Sequence, residues 1–139
     1  MIYALDTNII SFLLRARQNP EVAERFTVEI EQGNDYVIPP LSYYEVTWYL
    51  IRKKATAQLR YFHDLYQNAF IKTGMEEADL LLAAQIRANL DEQGKPVGDA
   101  DVLIAAYCIV NDYTLVTDNT SDFERIKGLK CVNWKKKIR

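Results

Sequence analysis

Histidine is nearly missing from this chain of 139 residues, where His63 stands alone, and cysteine is limited to Cys108 and Cys131. With no second histidine, and with neither cysteine in C-x-x-C or comparable spacing, a soft-ligand metal site or a histidine-based triad has nothing to build on. His63 reads as a surface or interface residue. The two thiols lie inside apolar segments and read as small buried hydrophobes of a reducing compartment, so no disulfide is expected. The glycines number 5 and the prolines 4, and none stands in a G-x-x-x-x-G-K-[ST] loop, which argues against the use of nucleoside triphosphates. No apolar run approaches bilayer length, and the first residues lack the basic start, apolar region and small-residue cleavage site of a signal peptide. The expectation is a cytoplasmic protein with no membrane partner. A balance of 17 basic and 19 acidic residues gives a net charge of −2, so no overall positive field grips nucleic acid. The cations gather at residues 52–54 and 135–139, and such runs by themselves read as solvated surface.

A hydrophobic content of 49% is enough to bury a core at this length, and residues 1–139 read as one domain with a basic tail from about residue 134. The chain opens on an apolar, β-compatible run at residues 2–5, with the lack of alternation that suits a strand covered on both faces. Thr7 or Asn8 can cap the helix continuing through residues 9–14. After a polar break at residues 15–19, Pro20 begins a second helix reaching about residue 32, with Val22, Phe26 and Ile30 as its apolar stripe. A strand at residues 36–38 ends at Pro39-Pro40. Ser42 and Glu45 then stand in S-x-x-E spacing, which reads as a capping box.

The helix that runs on to Lys54 is apolar around most of its circumference, so one side meets another chain or is sandwiched in its own domain. A helix at about residues 56–67 pairs with it as a hairpin. A short strand at residues 69–72 follows, and then a long helix, about residues 76–93, with Leu80, Leu81, Ala84 and Leu90 among its apolar positions. The loop at residues 94–98 leads into D-A-D-V-L-I-A-A-Y-C-I-V, whose alanines suit close packing on a sheet. Of its two acids, Asp99 is the better placed to cap the helix. A buried strand at residues 114–116 comes next, then T-D-N-T-S-D-F, a short helix to about residue 127 and a last strand through Cys131 and Val132.

This alternation of strands and helices predicts an α/β fold, a three-layer α/β/α sandwich with a mainly parallel sheet of about five strands. On such a sheet ligands bind outside the carboxyl ends of the strands. Asp6 and Asp118 each end a strand, while Glu45 and Asp101 open helices that follow strands or strand-edge loops. Any one of these acids is explained by capping or by the helix dipole. Four on one edge with no cation among them should repel one another unless a divalent ion neutralises them. Oxygen donors without histidine or cysteine suit Mg²⁺, with Mn²⁺ as a substitute. A carboxylate-held ion with open water positions matches a phosphodiester substrate, because it lowers the pKa of water and steadies the in-line transition state.

The chain resembles PIN-domain ribonucleases, and within them the VapC-type toxins of bacterial toxin-antitoxin pairs. The resemblance rests on L-D-T-N at residues 5–8, the S-x-x-E containing Glu45, P-V-G-D-A-D-V-L-I-A-A at residues 96–106, and L-V-T-D-N-T-S-D-F at residues 115–123 with the closing Asn133-Trp134. These pieces come in the family's order and cover nearly the whole chain. The resemblance implies that Asp6, Glu45 and Asp101 are catalytic, metal-binding acids and that Asp118 is a fourth, more variable member. Asp99, Asn119 and Asp122 are possible additional members, with Thr7, Asn8 and Thr117 from the same motifs beside them. It further implies Mg²⁺-dependent endonucleolytic cutting of structured RNA, often a transfer RNA, a homodimer, and inhibition by a cognate antitoxin laid across the active-site groove. The helix from Ser42 and its hairpin partner would form part of the antitoxin-facing surface.

Two other readings compete. One is a catalytically inactive module of the same fold that only binds RNA or protein. The other is Mg²⁺-dependent phosphoryl transfer through an aspartyl phosphate, suggested by Asp99-x-Asp101, although that pair opens a helix instead of ending a strand. RNA specificity would come from the groove and from Arg15, Arg17, residues 52–54 and the tail.

Overall fold

In the computed structural model, which describes residues 1–15 and 20–134, the opening apolar run forms strand β1 (Ile2–Leu5), and helix α1 (Thr7–Leu14) leaves its end after a single residue. Then follow α2 (Pro20–Glu31), β2 (Asp35–Val37), α3 (Pro40–Arg52), α4 (Thr56–Ala69), α5 (Glu77–Glu92), α6 (Asp99–Asn111), β3 (Thr114–Val116), α7 (Thr120–Phe123) and β4 (Lys130–Val132). The strands lie in the order β2-β1-β3-β4, and every pairing is parallel. Tyr3 faces Tyr36 on one side and Thr114 on the other. All strand ends therefore open on one edge, and β1 and β3, at the centre, deliver Asp6 and Thr117 there side by side.

Side chains alternate across this sheet, as the pleat requires. Tyr3, Leu5, Tyr36, Ile38 and Val116 pack with α1, α2, α3, α4 and Trp134, whereas Ala4, Val37 and Leu115 pack with α5, α6 and α7. The result is the three-layer α/β/α sandwich expected. The alanines of α6, Ala105 and Ala106, are fully buried and let that helix lie close on the sheet. Among the described residues no helix is long and apolar enough to cross a membrane.

Several local expectations are corrected. The strand expected at residues 69–72 is reduced to one bridge: α4 runs through Ala69, Phe70 turns extended, and only Ile71 pairs, donating its N–H to the Tyr36 carbonyl at 2.8 Å. The sheet thus has four strands and not five. The S-x-x-E capping box does not form. Pro39 is the N-cap residue and Pro40 opens α3; proline's fixed φ and missing N–H make it a ready helix start, and Ser42 and Glu45 fall inside the helix. The capping-box spacing is realised instead before α5, where the Glu76 N–H donates to the Asp79 carboxylate at 2.8 Å. Asp6, not Thr7 or Asn8, caps α1, because the helix starts at once after the strand. Gly98, not Asp99, is the N-cap of α6, and α7 ends at Phe123 instead of continuing to residue 127.

On α2 the third stripe residue, Ile30, is exposed and Glu29 is buried in its place, its carboxylate held by Arg25 at 2.7 Å and Asn34 at 2.8 Å. On α5 the core face is carried by Ala83 and Leu90, and Leu80 and Leu81 stand more than half exposed. Residues 16–19 of the polar break, Arg17 among them, and the basic tail at 135–139 lie outside the described residues.

Leu115 occupies the middle of the sheet, fully buried between β1 and β4. Leu115→Ala should cost about 2–5 kcal/mol of unfolding free energy, measured by urea denaturation; a loss below about 1 kcal/mol would contradict a packed central strand.

Candidate active site

The edge at the strand ends is assembled from β1, β3, α3, α6 and the α7 turn. Asp6 is tied to the neighbouring strand by its N–H, which donates to the Val116 carbonyl at 3.0 Å. Its carboxylate accepts from the Thr7 N–H at 2.7 Å through Oδ1 and from the buried Thr117 hydroxyl at 2.8 Å through Oδ2. The Thr117 hydroxyl in turn accepts from the Asn119 N–H at 3.0 Å. One backbone turn and one threonine therefore fix both oxygens of Asp6.

Around it Glu45, Asp118 and Asp122 are held by hydroxyl and amide donors. Thr7 donates through Oγ1 to Glu45 Oε1 at 2.9 Å, which links the start of α1 to α3. Asn8 donates through Nδ2 to Asp118 Oδ1 at 3.3 Å, and Asn119 through Nδ2 to Asp122 Oδ2 at 3.0 Å. Asp6 is only 6% exposed. Burial pushes its pKa up to about 6, the donors from Thr117 and Thr7 oppose that, and the charges of Asp101 and Asp118 add to it. The Asp101 carboxyl is raised too, first by burial and then by the charges of Asp122 and Glu45. Among the described residues no lysine or arginine figures in either balance.

The charges of Asp101 and Asp118 thus reach Asp6, and those of Asp122 and Glu45 reach Asp101; Thr7, Asn8 and Asn119 orient Glu45, Asp118 and Asp122, and Thr117 orients Asp6. Asp99 stands apart. Its carboxylate is 89% exposed and lies 3.3 Å from Arg87 Nε of α5. Arg87 also donates to the Val97 carbonyl, and Arg125 to the Pro96 carbonyl at 3.2 Å. These two arginines clamp the loop before α6 and so set where Asp101 emerges. Nothing in the sequence spacing marked either of them for this role.

The donor set is all oxygen, which suits a hard divalent cation. No three carboxylates among the described residues converge into a ready-made cage. Beside the acids, Thr7, Asn8 and Glu45 also line the head of a groove of about 630 Å³ between α1 and α3.

The family model for the PIN domain matches residues 3–129. The chain belongs to the PIN-domain family. Among known relatives it is 26% identical over 136 residues to ribonuclease VapC2 of Rickettsia felis, covering 98% of this chain and 100% of that protein. It is 29% identical to the tRNA(fMet)-specific endonuclease VapC of Shigella flexneri, over 95% of this chain and 97% of that protein. Two solved structures resemble this PIN domain: VapBC2 of Rickettsia felis bound to a promoter DNA fragment (TM-score 0.85, 25% identity, 96% of this chain and 99% of that one), and VapBC-1 of nontypeable Haemophilus influenzae (TM-score 0.83, 28% identity, 98% and 100%).

The raised pKa of Asp6 has a thermodynamic consequence. A carboxyl whose folded pKa is about 6 against an ordinary 3.8 favours the folded state fully below pH 3.8 and loses that contribution as pH rises through 6. The loss amounts to about 3 kcal/mol. In EDTA, Asp6→Asn should therefore be more stable than the natural PIN domain at pH 7.5, and its unfolding free energy should lack this decline between pH 4 and 7. Parallel urea titrations at both ends of the range test this; identical pH dependences would contradict the burial of a charged Asp6.

Proposed function

We propose that the chain is a metal-dependent endoribonuclease that hydrolyses RNA phosphodiester bonds as the toxin of a toxin-antitoxin pair, acting in the cytoplasm as a single PIN-like domain. The observation that carries this reading is the set of acids at the strand ends, Asp6, Glu45, Asp101 and Asp118, gathered at one edge with no neutralising cation among the described residues, and with Asp6, Glu45 and Asp118 oriented by threonine and asparagine donors. A structural cluster has no reason to bury like charges at a functional edge; a cation site does. Family membership and relatives named as ribonucleases and endonucleases point the same way.

Asp6, Asp101, Asp118 and Glu45 would hold Mg²⁺, or Mn²⁺ in its place, with Asp122 close enough to join and Asp99 drawn away by Arg87. When bound, the ion supplies positive charge for the pentavalent transition state and lowers the pKa of water. The protein's own part is positional. Thr117 and the Thr7 N–H keep Asp6 from rotating, and the Thr7 hydroxyl holds Glu45, whose charge reaches Asp101, where a carboxylate can accept a proton from the attacking water. Asn8 does the same for Asp118. A transfer RNA is the target class that the Shigella relative's name supports.

Relatives solved as VapBC toxin-antitoxin complexes support a cognate antitoxin as partner, with the α3–α4 hairpin in its docking surface. Tyr44, Trp48 and Tyr49 of α3 and Tyr61 of α4 are at least half exposed. Leu80 and Leu81 of α5, also more than half exposed, supply apolar surface for a homodimer to bury.

Expression of the chain in a bacterium beside Asp101→Asn tests the activity. The natural sequence should arrest growth and leave a discrete RNA fragment on a denaturing gel, and the variant should do neither; EDTA should abolish cutting in vitro and Mg²⁺ restore it. Intact RNA in both strains, from folded protein, would reject the nuclease. Calorimetric Mn²⁺ titration separates the two neighbouring acids: Asp101→Asn should lose the site, and Asp99→Asn should bind within about twofold of the natural affinity, a difference below about 0.5 kcal/mol. Loss of the site in Asp99→Asn would place that acid on the ion.

A further inference from the structure

Asp101 owes its direction to a helix start that α6 does not secure by itself. Gly98 is the N-cap and makes no side-chain cap bond, and Asp101 lies in the first turn, where a change in the path of the preceding loop redirects its carboxylate. That loop is held from its neighbours. The Gly94 and Lys95 N–H groups close α5 on the Asp91 carbonyl at 3.1 Å and the Leu90 carbonyl at 3.0 Å, and the Val97 side chain is buried in the cluster that includes Leu90 and Val102. The Pro96 and Val97 carbonyls are taken by two arginines, the first by Arg125 at 3.2 Å and the second by Arg87. Arg87 does more than make that one bond. Its Nη1 lies 3.4 Å from Asp91 Oδ1 within α5, and its Nε lies 3.3 Å from Asp99 Oδ1 in α6. One planar guanidinium thus meets the helix before the loop, the loop itself and the helix after it.

From this arrangement we infer that Arg87 is a positioning residue for the cation site: through the Val97 carbonyl it fixes the angle at which α6 starts, and thereby the place of Asp101 beside Glu45 and Asp122, without touching the ion. The inference rests on the cation-site reading above. The two ion pairs contribute little energy of their own, because Asp91 and Asp99 are 64% and 89% exposed and such pairs are screened by water. Their effect is to orient the fork, on a side chain only 29% exposed, so that Nη2 meets the carbonyl. Lysine, a single point of charge, cannot serve three partners at once. Position and charge pull in opposite directions here. A cation close to a carboxylate cluster opposes a divalent ion, so an Arg87 that acted by charge alone would, once removed, leave tighter ion binding. An Arg87 that acts by position leaves weaker binding, since groups that orient metal ligands are worth about 10- to 100-fold in affinity. The sign of the change separates the two.

The test is a calorimetric Mn²⁺ titration of the full chain beside Arg87→Met, Arg87→Lys and the charge-balanced pair Arg87→Met with Asp99→Asn, with amide hydrogen exchange of each in EDTA. Arg87→Met should weaken Mn²⁺ binding about tenfold, the charge-balanced pair should weaken it by the same factor, and Arg87→Lys by a smaller, measurable one. Amide exchange in Arg87→Met should speed up at residues 97–102 and stay at the natural rate in β1 and β3. Where Arg87→Met does not fold, Arg87→Lys decides: weaker binding supports the role and natural affinity overturns it. Unchanged or tighter binding in Arg87→Met overturns the positioning role and leaves the cation site standing. Natural affinity in the charge-balanced pair overturns it too, since Arg87 then does no more than balance Asp99. Weaker binding with faster exchange throughout the sheet overturns it as well, because the loss is then one of general stability. If the natural chain shows no Mn²⁺ site that Asp101→Asn removes, the cation-site reading falls and the positioning role with it.

Discussion

A carboxylate forced out of water beside other carboxylates is the constraint on which this molecule turns. Asp6 is held in place by the β1–β3 pairing through its own N–H, by the first turn of α1 through Oδ1, and by Thr117 through Oδ2. The bonds from Thr117 and Thr7 lower its pKa, yet burial outweighs them and the charges of Asp101 and Asp118 add to the burial. The folded chain accordingly carries an unfavourable electrostatic term above pH 6 that its core has to offset. Two well-packed faces of a central parallel sheet, with Leu5, Ala4, Leu115 and Val116 all fully buried, provide that reserve. Stability given up at one edge is a common mark of a site where function sets the residues.

Parallel topology explains why the strain is concentrated. Each strand must cross back through a helix before the next begins, so every strand-to-helix junction falls on the same side. Helix starts favour acidic residues there for reasons unrelated to chemistry, and the fold collects them. What separates these acids from an ordinary row of caps is that, of Asp6, Glu45 and Asp101, Asp6 alone caps its helix through its side chain; Glu45 and Asp101 lie inside the helices α3 and α6, and Pro39 and Gly98 take the cap positions without a side-chain bond. The acids free of capping are the ones turned toward one another.

This also sets the limit of what the sequence could reveal. The strand ends were legible, because a short apolar run stopping at Asp6 or at Thr117-Asp118 has few other interpretations. The interior of α3 was not: S-x-x-E at Ser42 and Glu45 has the spacing of a capping box, and only the prior claim of Pro39-Pro40 on the helix start displaces it. Periodicity likewise put Ile30 inside α2, since no local signal reveals that Arg25 and Asn34 can satisfy a buried Glu29. The strand expected at residues 69–72 failed for a tertiary reason, as Phe70 goes into the aromatic cluster with Tyr36 and Phe26 and leaves a single residue able to pair. Leu80 and Leu81 matched a core stripe by type, but the face that meets α6 belongs to Ala83 and Leu90, where small and large residues fit a close helix pair.

Asp99 and Asp101 show how finely the fold divides equivalent residues. Two positions apart on a helix means about 200° of rotation, so the two carboxylates cannot face the same neighbour. Asp99 turns outward to Arg87, which also reaches the Val97 carbonyl, while Asp101 turns inward to Glu45 and Asp122. The arginine thereby does two things with one guanidinium: it neutralises the acid that points away from the cleft, and it fixes the loop that aims the acid pointing into it. A cation placed one helical turn nearer the cleft would neutralise Asp101 instead and remove the charge a divalent ion answers to. The position of Arg87, outside the cluster and against its edge, is therefore as much a condition of the acidic site as the acids themselves.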